Sequence, residues 1–189
     1  MLFNEEKIVK IIEPQILRCR PGDWEHAKRV VKFIKILGQE KTILPQLIIA
    51  GYIHDIGWRD LLNKEKITFE ELLAQESQAN KNSEPFIREL LKALDILGDD
   101  TEIIIKLVSS ADKHKSTNED EEIIVDADQL SKLDINHLKE KYQKSEWVKL
   151  YELWEKEIGN RIKTKKAKKL YPELLVSLKK SIKKCPILL

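Results

Sequence analysis

The run "ILPQLIIAGYIHD", residues 43–55, constrains this chain more than any other stretch, because it is apolar in every direction around a helix. A surface helix keeps one polar face, whereas a segment apolar all round has to be covered by other elements. A buried strand is the alternative, and the length of the run and Pro45 near its start oppose it, since proline suits a first helical turn. Thr42 is the expected cap. The run closes on His54 and Asp55, an imidazole and a carboxylate delivered to a dry interior where both need partners.

The rest of the chain reads as the helices that cover this one. Only six glycines and six prolines punctuate 189 residues, which favours long helices over many short strands. Asp23 reads as the N-cap of "WEHAKRVVKFIKIL", whose apolar positions Val30, Phe33, Ile34 and Leu37 end at Gly38. Thr68 and Glu71 stand in capping-box relation at the head of "TFEELLAQESQANK". A separate helix is expected in "SEPFIRELLKALDILG", with Ser83 as cap, Pro85 in its first turn and Gly98 as terminator. Another starts at Asp99 or Asp100 and carries "TEIIIKLVSSADKH"; the polar loop "KSTNED" separates it from "EEIIVDADQLSKLD". From Asn136 one long helix to about Ile158 is expected, followed by shorter basic helical pieces. The expected fold is therefore all-α: a compact multi-helix core over residues 1–135, including an N-terminal helix, with residues 136–189 as a helical extension packed on it.

Composition narrows the class. With 42% hydrophobic and 35% charged residues the chain matches soluble globular proteins. Cys19 and Cys185 make neither a disulfide framework nor a zinc spacing. Acidic residues in "MLFNEEKIVKIIEPQ" oppose a signal peptide, and no apolar run reaches membrane-spanning length. A reducing, cytoplasmic location without a membrane partner is the expectation. Residues 160–189 hold ten Lys or Arg against one acid, Glu173. Because Leu174, Leu175, Leu178, Ile182 and Cys185 recur at helical spacing, these lysines are expected to form a solvated face and not a nucleic-acid surface.

The helix assignments place the chemistry. His26 stands one turn before Val30 and two before Phe33, on the face turned to the core, and His54 stands one turn beyond Ala50 and two beyond Leu47. One interior histidine is ordinarily a hydrogen-bonded core residue, but several ionisable groups aimed at one interior point to a site. In "EEIIVDADQLSKLD" an apolar triplet leads into Asp126 and Asp128, about 200° apart on a helix, so one of the two is expected to face His26, His54 and Asp55. Two imidazoles and two carboxylates without thiolates suit a divalent first-row metal with open positions for water and substrate, the requirement of hydrolysis by metal-activated water.

The order His26, then His54-Asp55 in "IHDIG", then Asp128 in "DADQL", together with "WEHAKRVVKF" and "IVDADQLSKLD", resembles the HD-domain superfamily of metal-dependent phosphohydrolases over about residues 20–135. The resemblance implies an all-helical fold and a metal held by His26, His54, Asp55 and Asp128, with Asp126 behind the site, capping a helix or solvated. It implies a phosphomonoester or nucleotide as substrate, and one divalent ion, whether Mn, Fe, Co, Ni, Zn or Mg. Members with two metals carry further histidines before the last Asp; here that region holds only His114, and "ANKNSEPF" offers Asn80 and Asn82. Trp58 stands where many hydrolytic members place Lys or Glu. The catalytic roles beside Asp55 then fall to His114, as proton donor, and to Arg59 and Asp60, with Asp112 a further candidate; Arg59 would clamp a phosphate. His137 is expected as an ordinary surface residue, and Trp147, Trp154, Tyr142 and Tyr151 as helix packing. The competing reading is a regulatory module that binds a nucleotide or phosphate without turnover.

Overall fold

The computed structural model describes residues 3–62 and 64–185, and among them the secondary structure is helical throughout, with nine α-helices. The central run is α3, Leu44–Ile53, and every residue from Leu47 to Ile53 is buried. Pro45 sits in its first turn; the cap position is Ile43 and not Thr42, and no side chain caps this end. Around it pack α1 (Glu5–Ile16), α2 (Asp23–Leu37), α5 (Asp99–Lys113) and α6 (Glu119–Ser131). α1 opens on Asn4, whose side chain accepts from the Lys7 amide, and buries Ile8, Ile12 and Ile16, a stripe at four-residue spacing.

Four expectations about boundaries are corrected by tertiary packing. The segment read as two helices is one, α4, Phe69–Ala93, with the Thr68–Glu71 capping box at its head. Ser83 and Pro85 lie inside it, and Ser83 is buried, not a cap. Pro85 removes one intrahelical hydrogen bond, but the continuous buried face of Ala79, Ser83, Ile87, Leu90 and Leu91 carries the helix through. Gly98 ends no helix; at φ 65° it is the N-cap of α5. The region beyond Asn136 divides into α7 (Ile135–Lys141) and α8 (Trp147–Arg161), while the basic tail is one helix, α9 (Lys165–Lys184), capped by Thr164. The break falls at Tyr142, which turns extended and forms an isolated parallel bridge with Ile67. Lys141 carbonyl accepts from the Ile67 amide at 3.1 Å, so the end of α7 is fastened to the chain entering α4.

Two apolar clusters result. The larger joins α1 to α6; the smaller gathers Leu138, Trp147, Leu150, Tyr151, Trp154, Ile158 and Leu178 from α7, α8 and α9 against Leu130 and Leu133. On α9, Leu174, Leu175, Leu178, Ile182 and Cys185 all pack toward this cluster, and its lysines are exposed. Among the described residues no helix is long and apolar enough to cross a membrane.

Candidate metal centre

His26 projects from α2, His54 and Asp55 from the last residues of α3 and the turn after it, and Asp128 from α6. All four side chains meet beneath one cavity of about 500 Å³. His26 Nε2 and His54 Nε2 are 3.1 Å apart; Asp128 Oδ1 lies 3.2 Å from the first and 3.7 Å from the second. Asp55 Oδ2 stands beside them, 3.8 Å from His26 Nε2 and 3.5 Å from His54 Nε2.

The outer nitrogens fix where the protons are. His54 Nδ1 donates to the Gly51 carbonyl at 2.9 Å, an oxygen that can only accept. Ser131 Oγ–H donates to the Asp128 carbonyl at 2.7 Å, so at 3.1 Å His26 Nδ1 must donate to the Ser131 oxygen. Both Nε2 atoms therefore present lone pairs to each other and to carboxylate oxygens. Burial, and then the charge of Lys141, pull His26 down to about 3, which disfavours a second proton on its own Nε2 near neutrality. Donor atoms facing one another without a proton between them repel, and a cation at their centre removes the repulsion. His26, His54 and Asp128, all buried, each place one donor atom within 4.8 Å of the others and could hold a metal ion.

Behind the donors lies a buried charge network that sequence reasoning missed. Arg20 Nη2 pairs with Asp55 Oδ2 at 2.6 Å, and its Nε with Asp23 Oδ2 at 3.0 Å. Lys141, 3% exposed, pairs with Asp23 and lies 3.5 Å from Asp55. Burial alone would raise the Asp55 carboxyl; Arg20, His54 and Lys141 hold it well below the ordinary range. Asp23 is thus not a cap: it is the first residue of α2, after Gly22 in the left-handed region at φ 73°, and is committed to the two cations. Asp128 Oδ2 accepts from Lys132 at 2.7 Å and Gln129 Nε2 at 2.9 Å, leaving Oδ1 to the imidazoles.

The remaining candidates divide by where the backbone takes them. His114, in the left-handed region at the end of α5, lines the cavity; its Nδ1 accepts from the Gln129 amide at 3.1 Å, which puts its own proton on Nε2. Lys132, and then burial, lower it to about 4. Asp112 lines the same wall and accepts from Ser83 Oγ at 3.3 Å; burial, and then Asp55, push it up to about 7. Arg59 and Asp60 are not brought to the cavity. Arg59 turns outward to Gln15 and Glu89, each at 3.0 Å, over the Phe86 ring, and Asp60 is exposed, paired with Arg18. Trp58, buried at the cavity edge, carries the Arg20 guanidinium 4.0 Å above its ring, so the position expected for Lys or Glu instead supports the cation holding Asp55.

Asp126 is fully buried and not solvated: it accepts from the Lys163 amide at 3.0 Å and the Thr164 amide at 2.7 Å, at the start of α9. The expectation for His137 is likewise corrected. It is 2% exposed, lines the cavity and lies against His26, ring centroids 4.7 Å apart. It shares the inner face of α7 with Leu138 and with Lys141 one helical turn on, a cation that the sequence gives no reason to bury.

Comparison with protein-family models, with curated protein sequences and with solved structures finds no match to this chain.

Proposed function

We propose that this chain is an HD-type metal-dependent phosphohydrolase that cleaves a small phosphomonoester or nucleotide. The observation that carries the reading is the convergence of two imidazole nitrogens with the Asp128 and Asp55 carboxylates at the floor of an open cavity. One divalent ion bound by His26, His54, Asp55 and Asp128 would supply Lewis acidity and a hydrolytic nucleophile near neutral pH. The chain's own residues divide the remaining work. Arg20 and Lys141 hold the Asp55 carboxylate ionised and oriented, and Lys132 and Gln129 do the same for Asp128. His114 offers its Nε2–H to an oxygen in the cavity, and Asp112 holds a proton near neutrality that a leaving alkoxide can take.

One observation favours the second reading, a binding module without turnover: Arg20, Lys132, Lys141 and Arg161, the cations lining the cavity, each already have a carboxylate partner. A single experiment separates the two. The protein is loaded with Mn, Fe, Co, Ni, Zn or Mg, its metal content is measured by mass spectrometry, and a panel of phosphomonoesters and nucleotides is assayed for released phosphate. Stoichiometric metal with turnover is expected, and His54→Ala should lose both while retaining its helical signal. A ligand that stabilises the protein and is returned unchanged establishes the binding module; a chain that takes up no metal under any loading refutes both forms of the proposal.

A further inference from the structure

His137 on α7, Tyr142 just beyond it and Trp154 on α8 line the cavity, yet none has a part in the reaction described above. Their rings pack at steep angles, His137 5.8 Å from Tyr142 and 5.6 Å from Trp154, and Tyr142 6.4 Å from Trp154, between centroids. The cluster is continuous with the metal donors, because His137 also packs on His26. Its polar atoms are left over. His137 Nδ1 is buried without a hydrogen bond, and among the described residues the contacts of its ring and of the Tyr142 ring are with other rings, with no hydrogen bond from a protein group to the Nε2 or the hydroxyl. The Nδ1 is closed off, whereas the Nε2 and the hydroxyl are not among the buried unpaired atoms and keep access to the cavity that their residues line, so a ligand there can supply the partner the chain does not.

We propose that His137, Tyr142 and Trp154 form the subsite for the organic part of the substrate, and that this part is a hydroxylated ring such as a sugar. The inference rests on the phosphohydrolase reading, which puts the phosphoryl end at the metal donors beside His26. An alkyl chain would cover the rings but leave the imidazole nitrogen and the phenol unpaired. A charged group would find no counter-ion there, since Lys141, the nearest cation on α7, is committed to Asp23 and Asp55. A sugar ring meets both demands, laying C–H faces against aromatic rings and hydroxyls against the two polar atoms. The subsite is built wholly from residues 137–154, the segment that sequence alone presents as an extension.

Ribose 5-phosphate and n-pentyl phosphate, both esters of five-carbon primary alcohols, test the assignment. The full chain is loaded with Mn²⁺, its metal content is confirmed, and kcat/KM and calorimetric affinity are measured for both probes in the native protein, Tyr142→Phe and His137→Phe. The native protein should prefer the ribose ester by about tenfold or more, and the preference should collapse toward one in both variants. Tyr142→Phe removes only an oxygen, so it decides alone if His137→Phe does not fold. Turnover without preference, or a preference unchanged in Tyr142→Phe, refutes the subsite and leaves hydrolysis standing. Preference in binding without turnover keeps the subsite and refutes hydrolysis; failure of both probes to bind refutes the subsite.

Discussion

Asp112→Asn should make the metal-free protein more stable at high pH and leave it nearly unchanged at pH 4. The carboxyl sits on the inner wall of α5, partly open to the cavity, where burial and the charge of Asp55 push it from 3.8 up to about 7. The folded chain therefore holds this proton more tightly than the unfolded chain does. The associated stability is fully present below pH 3.8 and is lost as pH rises through about 7. At about 1.4 kcal/mol per pH unit, that interval amounts to at most about 4 kcal/mol, a ceiling because cavity water screens the carboxylate. Asparagine imitates the protonated form and still accepts from Ser83. Urea unfolding from pH 4 to 8, with chelator present because a cation nearby would itself favour the carboxylate, gives both stabilities. His26 and His114, lowered to about 3 and about 4, weaken the fold below their ordinary range in both proteins and cancel in the difference. The gap between variant and native protein should open between pH 4 and 8; parallel curves would refute the placement of Asp112 in a site that disfavours its charge.

Gly57→Ala should cost about 3 kcal/mol or more, because its Cβ would lie 2.2 Å from the Ala79 carbonyl oxygen and 3.3 Å from Ser83 Cα, backbone atoms that cannot step aside; an unchanged urea midpoint would contradict that approach. Asp126→Ala strips the Lys163 and Thr164 amides of their acceptor and should cost about 1–2 kcal/mol, read as a lower melting temperature. Lys141→Met leaves Asp23 and Asp55 facing Arg20 alone and should cost about 3–5 kcal/mol in urea unfolding. Divalent metal at a hundred times its dissociation constant should raise stability by about 2.7 kcal/mol, and His54→Ala should abolish the rise in a thermal-shift assay.

The helical class and the inward aim of His26 and His54 could be read from the sequence because each depends on residues within two helical turns, whereas helical spacing left open which of Asp126 and Asp128 faces them. α3 announces itself by being apolar all round, and the Thr68–Glu71 box by a spacing of three. What could not be read has its cause elsewhere in the chain. Ser83 and Pro85 look like a helix start, and what keeps α4 whole is packing from elsewhere in the chain, with the turn Ile56–Trp58 lying on Ala79 and Ser83. Tyr142 breaks the C-terminal helix because Ile67 waits for it. Arg59 and Asp60 follow the doublet closely enough to belong to the cavity, yet Asp60 takes a left-handed conformation at φ 62° and both side chains leave by the other side. Arg20 and Lys141 resemble any surface cation until the fold buries them. His137 carries no mark of its own, since a polar residue at a helix start is ordinarily solvated.

Asp126 and Asp128 sit two residues apart and point in divergent directions, one fastening the start of α9 and the other completing the group around His26 and His54. Every residue of α6 from Ile123 to Ser131 is buried, so the helix holds a single register. A single residue inserted ahead of Val125 would turn the following carboxylates by about 100° and withdraw both at once, so the donor group and the C-terminal helix would be lost together. Length variation between relatives of this chain should accordingly collect in the loop before Asn118 and never within α6.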